Sequence, residues 1–163
     1  SSAASDVYKR QVDASEPVPA EQAQGFVDQY LPALLTQAAA QLADPFSEEV
    51  RAAGLSVFEW RVLATLADTG RAPLGLLARR AATKQPTLTR LIERMVQRGL
   101  VQREDDPSDR RQILLCITPL GQKTVAHLIT RAQGHQSEQR VWFGEDRWEQ
   151  LVGLLRALLG DRG

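Results

Sequence analysis

Ten arginines and lysines fall between positions 71 and 111: Arg71, Arg79, Arg80, Lys84, Arg90, Arg94, Arg98, Arg103, Arg110 and Arg111. Guanidinium and ammonium groups at that density bind phosphate oxygens, and an arginine can also chelate a guanine edge. Gln85, Thr87 and Thr89 lie among them, polar side chains of the kind that pair with base edges or donate to phosphate. The 163 residues are neutral in sum, yet positions 71–111 carry five acids against these ten bases, and positions 12–70 carry nine acids against two bases. The positive field is therefore local, which suits a polyanion seated on one part of the molecule. Other chemistries find little footing. The chain has no Gly-rich phosphate loop, nucleophile elbow or zinc-protease motif. His127 and His135 are too few for a metal site. Neither an enzyme nor a bound cofactor is expected.

The elements that must position these groups are legible around them. Ser56-x-x-Glu59 is a capping box, with Leu55 before the cap and Trp60 at the staple position, and predicts a helix over 57–67 that Thr69-Gly70 ends. Leu74, Leu77, Ala78 and Ala81 make one apolar stripe on a short helix over 74–81. A second helix is expected over 84–98. Thr83 is its N-cap, Pro86 lies in its first turn, Leu88, Leu91, Ile92, Met95 and Val96 face a core, and Gly99 closes it. Short β-rich runs over 100–103 and 112–118 flank the polar tip Asp105-Asp106-Pro107-Ser108-Asp109-Arg110-Arg111 and read as a hairpin. Helix, turn, helix and charged ribbon form the layout of a winged helix-turn-helix, whose second helix fills a major groove while the ribbon reaches phosphate or the minor groove. The fold class expected is mostly α with a small β-hairpin wing.

Outside that module, Phe26, Val27, Tyr30, Leu31, Leu34, Leu35, Ala38 and Leu42 recur at helical spacing from Glu21 on. Pro32 either kinks this helix or sets its start, and Asp44-Pro45 ends or breaks it. Thr118-Pro119 starts a helix expected to reach about residue 136. A last helix over 145–159 carries Trp148, Leu151, Val152, Leu155, Leu158 and Leu159 as a wide apolar stripe. The terminal helices are not needed to close a small winged-helix core, so their apolar faces are expected to build a two-fold dimer. Residues 21–55 and 119–163 are thus read as dimerisation segments around a DNA-binding domain at 56–118.

On a 100° wheel, Leu88, Leu91, Ile92 and Met95 fix the buried side of the second helix. Gln85, Thr87 and Arg90, near its N-terminal end, are expected at base edges; Lys84, Thr89 and Arg94 are expected at phosphates.

These residues resemble a MarR-type (multiple antibiotic resistance regulator) transcriptional regulator. The resemblance spans roughly residues 24–159. It is strongest in Lys84-Gln85-Pro86-Thr87-Leu88-Thr89-Arg90-Leu91, in Met95 with Gly99-Leu100-Val101, in Asp109-Arg110-Arg111, and in Leu115-Cys116-Ile117-Thr118-Pro119-Leu120-Gly121. It implies a cytoplasmic homodimer that binds pseudo-palindromic double-stranded DNA, usually as a repressor. It also implies that Asp109 orients the wing through an ion pair and that Arg111 enters the minor groove, with Arg110 the alternate. Members commonly respond to small aromatic acids or to oxidants. Tyr30, Trp60, His127 and Arg131 could line an effector pocket, though aromatic residues at helical spacing also suit a plain core. Cys116, alternating with Leu115 and Ile117, reads as a packed or wing-surface thiol. Two departures stand out. Ala82-Thr83 replaces the glycine common in the turn, with φ expected to stay negative, and Ala72-Pro73 opens the short helix, with Pro73 expected at its first position.

Composition sets the remaining bounds. No run reaches the roughly 20 apolar residues of a membrane span, and one cysteine cannot form an internal disulfide. Residues 1–11, Ser-Ser-Ala-Ala-Ser-Asp-Val-Tyr-Lys-Arg-Gln, read as the translation of a transposon-based sequencing adapter, with the natural start lost or just downstream. Residues 12–20 read as a flexible lead-in. A winged helix that binds only a protein partner is the alternative class; a steep salt dependence of DNA affinity separates the two.

Overall fold

The computed structural model describes residues 25–109 and 111–160, so the expectations for positions 1–24 and for Arg110 lie outside the described residues. The chain divides at Ala40/Gln41 into two units. In the first, a one-turn helix α1 (Phe26–Gln29) opens with the Asp28 carboxylate accepting from the Gly25 N–H at 3.0 Å, and the Phe26 ring stacks on Tyr30 at 5.0 Å. Helix α2 (Leu31–Ala52) starts two residues later. The break falls at Tyr30, whose ψ of 105° is extended. Pro32 explains it: the ring has no N–H for the Asp28 carbonyl and would strike it, so a new helix begins with Pro32 in its first turn.

In the second unit α2 passes straight through Pro45, and the stop expected at Asp44-Pro45 does not occur. Side chains support the helix where proline removes a donor. Gln139 Nε2 donates to the Leu42 carbonyl at 2.8 Å, Ser47 Oγ donates to that of Ala43 at 2.9 Å, and Phe46 packs on the core. Tertiary support here outweighs the lost backbone bond.

The remaining elements are α3 (Val57–Thr69), β1 (Arg71–Pro73), α4 (Leu74–Arg80), α5 (Gln85–Gln97), β2 (Val101–Asp105), β3 (Ile113–Ile117), α6 (Pro119–Phe143) and α7 (Glu145–Leu159). The capping box forms as its spacing requires. Ser56 Oγ accepts from the Glu59 N–H at 3.2 Å, and Glu59 Oε2 accepts from the Ser56 N–H at 2.7 Å. The sheet has three antiparallel strands in the order β1-β3-β2, with Leu115 opposite Ala72 on one side and Arg103 on the other. Strand β1 is a correction to the expected two-stranded hairpin. Its last residue, Pro73, is the extended N-cap of α4 at φ −72°, ψ 153° rather than its first helical position; an edge strand tolerates a missing donor. Val62, Leu63 and Leu66 of α3, Leu77 of α4, Leu88, Ile92 and Met95 of α5, and Val125 and Leu128 of α6 meet in one buried cluster with Val101 and Leu115 of the sheet. Helix α6 outruns its expected end near residue 136 by seven residues, to Phe143. Residues 133–140 carry no apolar period, so only the full structure reveals that Gln139 ties this stretch to α2.

Three helix ends share one design. At Gly54, Ala82 and Gly99 the chain turns through positive φ of 74°, 53° and 70°. In each, the next residue's N–H reaches back to the helix: Leu55 to the Val50 carbonyl, Thr83 to Ala78, and Leu100 to Met95. These are Schellman motifs. The expectation of negative φ at Ala82 is therefore corrected. The two bonds from Ala82 and Thr83 back to Arg79 and Ala78 (3.1 and 3.0 Å) hold an alanine where its Cβ costs about 1 kcal/mol. Ala82→Gly is accordingly expected to stabilise the fold by roughly 0.5–1 kcal/mol. A urea midpoint equal to or below that of the parent would show the turn to be unstrained.

Candidate nucleic-acid interface

Helix α5 is strongly two-faced. Leu88, Leu91, Ile92 and Met95 are buried, and Lys84, Gln85, Pro86, Thr87, Arg90, Arg94 and Gln97 are exposed. Among the described residues, Lys84, Arg90 and Arg94 have no carboxylate within ion-pair distance, so their charges face solvent. Arg98 differs: its Nη1 donates to Glu59 at 2.9 Å and its Nη2 to the Gly54 carbonyl at 3.0 Å. The helix starts one residue later than expected. Lys84, not Thr83, is the N-cap, with φ −77°, ψ 145° and no side-chain cap bond. Thr83 instead belongs to the preceding Schellman turn, which its N–H closes on the Ala78 carbonyl.

The expected reading residues are not equivalent. Thr87 and Arg90 stand on the open face. Gln85 is exposed, but its Nε2 lies 3.5 Å from where a Cβ on Gly75 of α4 would stand, so its amide leans on the short helix. Thr89 is half-buried, and its hydroxyl donates to the Gln85 carbonyl at 3.0 Å, which occupies the proton a phosphate contact would use. Thr89, Leu74, Ile92, Arg103, Ile113 and Leu115 line a groove of about 220 Å³ between α5 and the hairpin.

The wing tip is built from carboxylates that grip backbone. Asp106 Oδ1 accepts from the Ser108 N–H at 2.8 Å and from its hydroxyl at 2.6 Å; those bonds hold its pKa below the usual carboxylate value. Asp109 Oδ1 accepts from the Arg111 N–H at 3.0 Å. Among the described residues this backbone bond stands in place of the expected ion pair, and it fixes the start of the return strand, leaving the exposed Arg111 side chain clear of it. Asp105 lies within β2 opposite Ile113. Among the described residues Asp106 and Asp109 thus shape the loop by holding its backbone. Cys116 is buried in β3, and burial together with the Glu104 carboxylate pushes its thiol pKa up, the opposite of an activated thiolate.

The expected effector residues separate. Tyr30 belongs to the first unit, stacked on Phe26. In the second unit Trp60 packs edge-on against Phe46 at 5.0 Å, His127 is exposed, and Arg131 is engaged: its Nε and Nη2 donate to Glu49 at 2.7 and 2.9 Å. His135 Nε2 lies 2.8 Å from Oε1 of the same carboxylate, the oxygen that also accepts from Arg131 Nη2. The sequence singles out His135 only as too isolated for a metal site and offers no reason to single out Glu49. The i, i+4 spacing of Arg131 and His135 is the available signal, but their shared partner lies 82 residues before Arg131 and 86 before His135. Beside them, Leu42, Ala43, Phe46, Ala132, His135, Gln136, Gln139 and Trp148 line a cavity of about 180 Å³.

Hydrogen bonds from Arg131, then His135, hold the Glu49 pKa down at about 2, against an ordinary 4.5. A depressed carboxylate contributes stability that is whole above the unfolded pKa and is lost as pH falls through the folded one. Acid unfolding of the parent should therefore steepen between pH 4.5 and 2 relative to Glu49→Gln. Superimposable acid curves for the two proteins would remove Glu49 from the account.

Comparison with known proteins agrees with this geometry. The MarR family model matches residues 55–113. The homoprotocatechuate degradative operon repressor of Escherichia coli is 27% identical over 125 residues, 77% of this chain and 84% of that protein. The crystal structure of a MarR family transcriptional regulator from Silicibacter pomeroyi DSS-3 is 32% identical, with a TM-score of 0.74 over 83% of this chain and 97% of that one. Two further crystal structures share the fold. NadR in complex with 4-hydroxyphenylacetate has 24% identity and a TM-score of 0.75, over 90% of this chain and 100% of its own. The repressor CouR bound to a 23-mer DNA duplex has 23% identity and a TM-score of 0.67, over 82% and 95%. The Escherichia coli, Silicibacter pomeroyi and CouR proteins are named as regulators or repressors rather than as enzymes, and the chain belongs to the MarR family of transcriptional regulators.

Proposed function

We propose that this chain is a homodimeric, cytoplasmic repressor that reads a pseudo-palindromic double-stranded operator and is released by a small aromatic acid. The DNA reading rests chiefly on the exposed face of α5, where Thr87, Arg90 and Arg94 stand opposite a fully buried apolar stripe without carboxylate partners among the described residues. Thr87 and Arg90 address base edges, with Gln85 at the margin. Lys84 and Arg94 address phosphates. Arg111 serves the minor groove with Arg110, and Asp109 shapes their loop. In this reading residues 56–118 form the DNA-binding domain, and residues 21–55 and 119–163 the dimerisation segments. Exposed apolar side chains on the last two helices, Val141, Trp142, Leu154, Leu158 and Leu159, all above 60% exposed, need a cover that a second copy supplies. The aromatic-acid effector is supported by the 4-hydroxyphenylacetate bound to NadR and by the cavity lined by Phe46, His135 and Trp148. Among the described residues no helix is long and apolar enough to cross a membrane.

Two substitutions separate the roles. Arg111→Ala should weaken binding to all duplexes about equally and flatten the salt slope by about one unit, whereas Arg90→Ala should cost about 1–3 kcal/mol at one position of each half-site. Fluorescence anisotropy on duplex libraries reads both, and parent-like behaviour of both variants would unseat the assignments. The proposal as a whole is tested by sedimentation equilibrium with anisotropy against salt. It requires a dimer mass and an affinity that falls roughly a thousandfold or more between 50 and 200 mM salt. A monomer, or a flat salt response, would contradict it and leave a protein-binding module.

A further inference from the structure

We propose that α3 sets the pose of the reading helix, with Glu59 and Arg61 as positioning residues at its two ends; the proposal rests on the reading of DNA by α5. The residues are two apart on one helix, so their side chains leave it in different directions. Arg61 Nη1 donates to the Ala81 carbonyl at 3.1 Å, and Ala81 caps α4 immediately before the strained turn at Ala82 that launches α5. Glu59 Oε1 accepts from Nη1 of Arg98 at 2.9 Å, and Arg98 is the C-cap of α5. One bond fixes where α5 begins and the other where it ends.

The chemistry of these bonds exceeds what stability needs. Glu59 is the buried charged residue among those described, and an apolar pair of similar volume often serves a core as well or better. Charge-assisted hydrogen bonds add direction, fixing distance and angle where apolar contacts permit sliding. Helix α5 rests on Leu88, Leu91, Ile92 and Met95, a smooth aliphatic stripe that alone would resist rotation weakly. A small rotation of α5 would carry Thr87 and Arg90 away from the base edges they address. Arg98 belongs by position to the basic stretch of 71–111, but both its terminal nitrogens are taken, by Glu59 and the Gly54 carbonyl. It positions the reading helix and is not a phosphate contact.

The test uses the full chain and a duplex enriched by the parent from a random pool, with a scrambled duplex as control. Arg61→Met and Arg98→Gln are measured beside Arg61→Lys and Arg98→Lys, and Arg94→Ala serves as a direct-contact control. In the folded fraction, confirmed by circular dichroism, Arg61→Met and Arg98→Gln should lose about tenfold in preference for the enriched duplex, the scale of one good base contact. Their salt slopes should equal that of the parent, whereas Arg94→Ala should flatten it by about one unit. The lysine variants, which keep a cationic donor, should recover most of the preference. Parent-like preference in Arg61→Met and Arg98→Gln, even with a lowered melting temperature, would reduce the bonds to fold stability and overturn the proposal. A flattened slope in Arg98→Gln would make Arg98 a phosphate contact and overturn it equally. If the methionine and glutamine variants fail to fold, unrescued preference in well-folded lysine variants overturns it. Absence of any preference in the parent would instead fell the reading of DNA by α5 itself.

Discussion

Gly121→Ala should destabilise the fold by about 3–5 kcal/mol, near the upper end for a single added methyl. The reason is a close approach of backbones at the base of the wing. A Cβ on Gly121 would penetrate the Leu100 carbonyl oxygen and stand 3.0 Å from Ile117 Cγ1 and 3.1 Å from the Leu100 carbonyl carbon. None of these can yield cheaply. The Leu100 carbonyl accepts from the Thr118 N–H at 3.2 Å, while the Thr118 hydroxyl donates to the Gly99 carbonyl at 2.6 Å, lies 3.1 Å from that of Leu100, and caps α6 by accepting from the Gly121 N–H at 3.0 Å. The methyl would therefore disturb the end of α5, the last strand and the cap of α6 together. The melting temperature should drop by roughly 10 °C. A drop under 2 °C would mean that this junction is looser than described.

Glu59→Ala should cost about 3 kcal/mol, the lower end for breaking a buried ion pair, because the Arg98 side chain is 44% exposed and can rehydrate. One carboxylate does two jobs. Its Oε2 accepts from the Ser56 N–H at 2.7 Å, closing the capping box of α3, and its Oε1 accepts from Arg98 at 2.9 Å. Truncation leaves the Ser56 N–H without its acceptor, which alone costs about 1 kcal/mol, and cuts the tie between α3 and α5. Glu59→Gln keeps an acceptor oxygen and should fall between. Urea unfolding that places Glu59→Ala within 1 kcal/mol of the parent would show the pair to be ornamental.

Local chemistry made much of this molecule legible. The Ser56/Glu59 box, the Thr118-Pro119 start and the buried stripe of α5 each depend on residues within a turn of one another, and each forms as spacing dictates. What stayed hidden depends on partners far along the chain. Strand β1 is three residues, too short for a period, and exists because Ala72 finds Leu115. Pro45 sits mid-helix because Gln139 and the core support that helix, and no local rule anticipates such help. Ala82 adopts a glycine conformation because the bonds from Ala82 and Thr83 back to α4 compensate. At the interface, the wheel separated the open face from the buried one. It could not show that the Thr89 hydroxyl is spent on a backbone carbonyl, that Arg98 is bound by Glu59, or that Arg131 is bound by Glu49.

Selection of bound duplexes from a random pool by the purified protein at near-physiological salt tests the central claim most directly. A dimer that places two copies of α5 in successive major grooves should enrich an inverted repeat with half-site centres about 10 base pairs apart. Arg90→Ala should relax one position of each half. A pool that remains random after repeated rounds, with the protein folded and dimeric, would contradict the account of α5 as a reader of DNA.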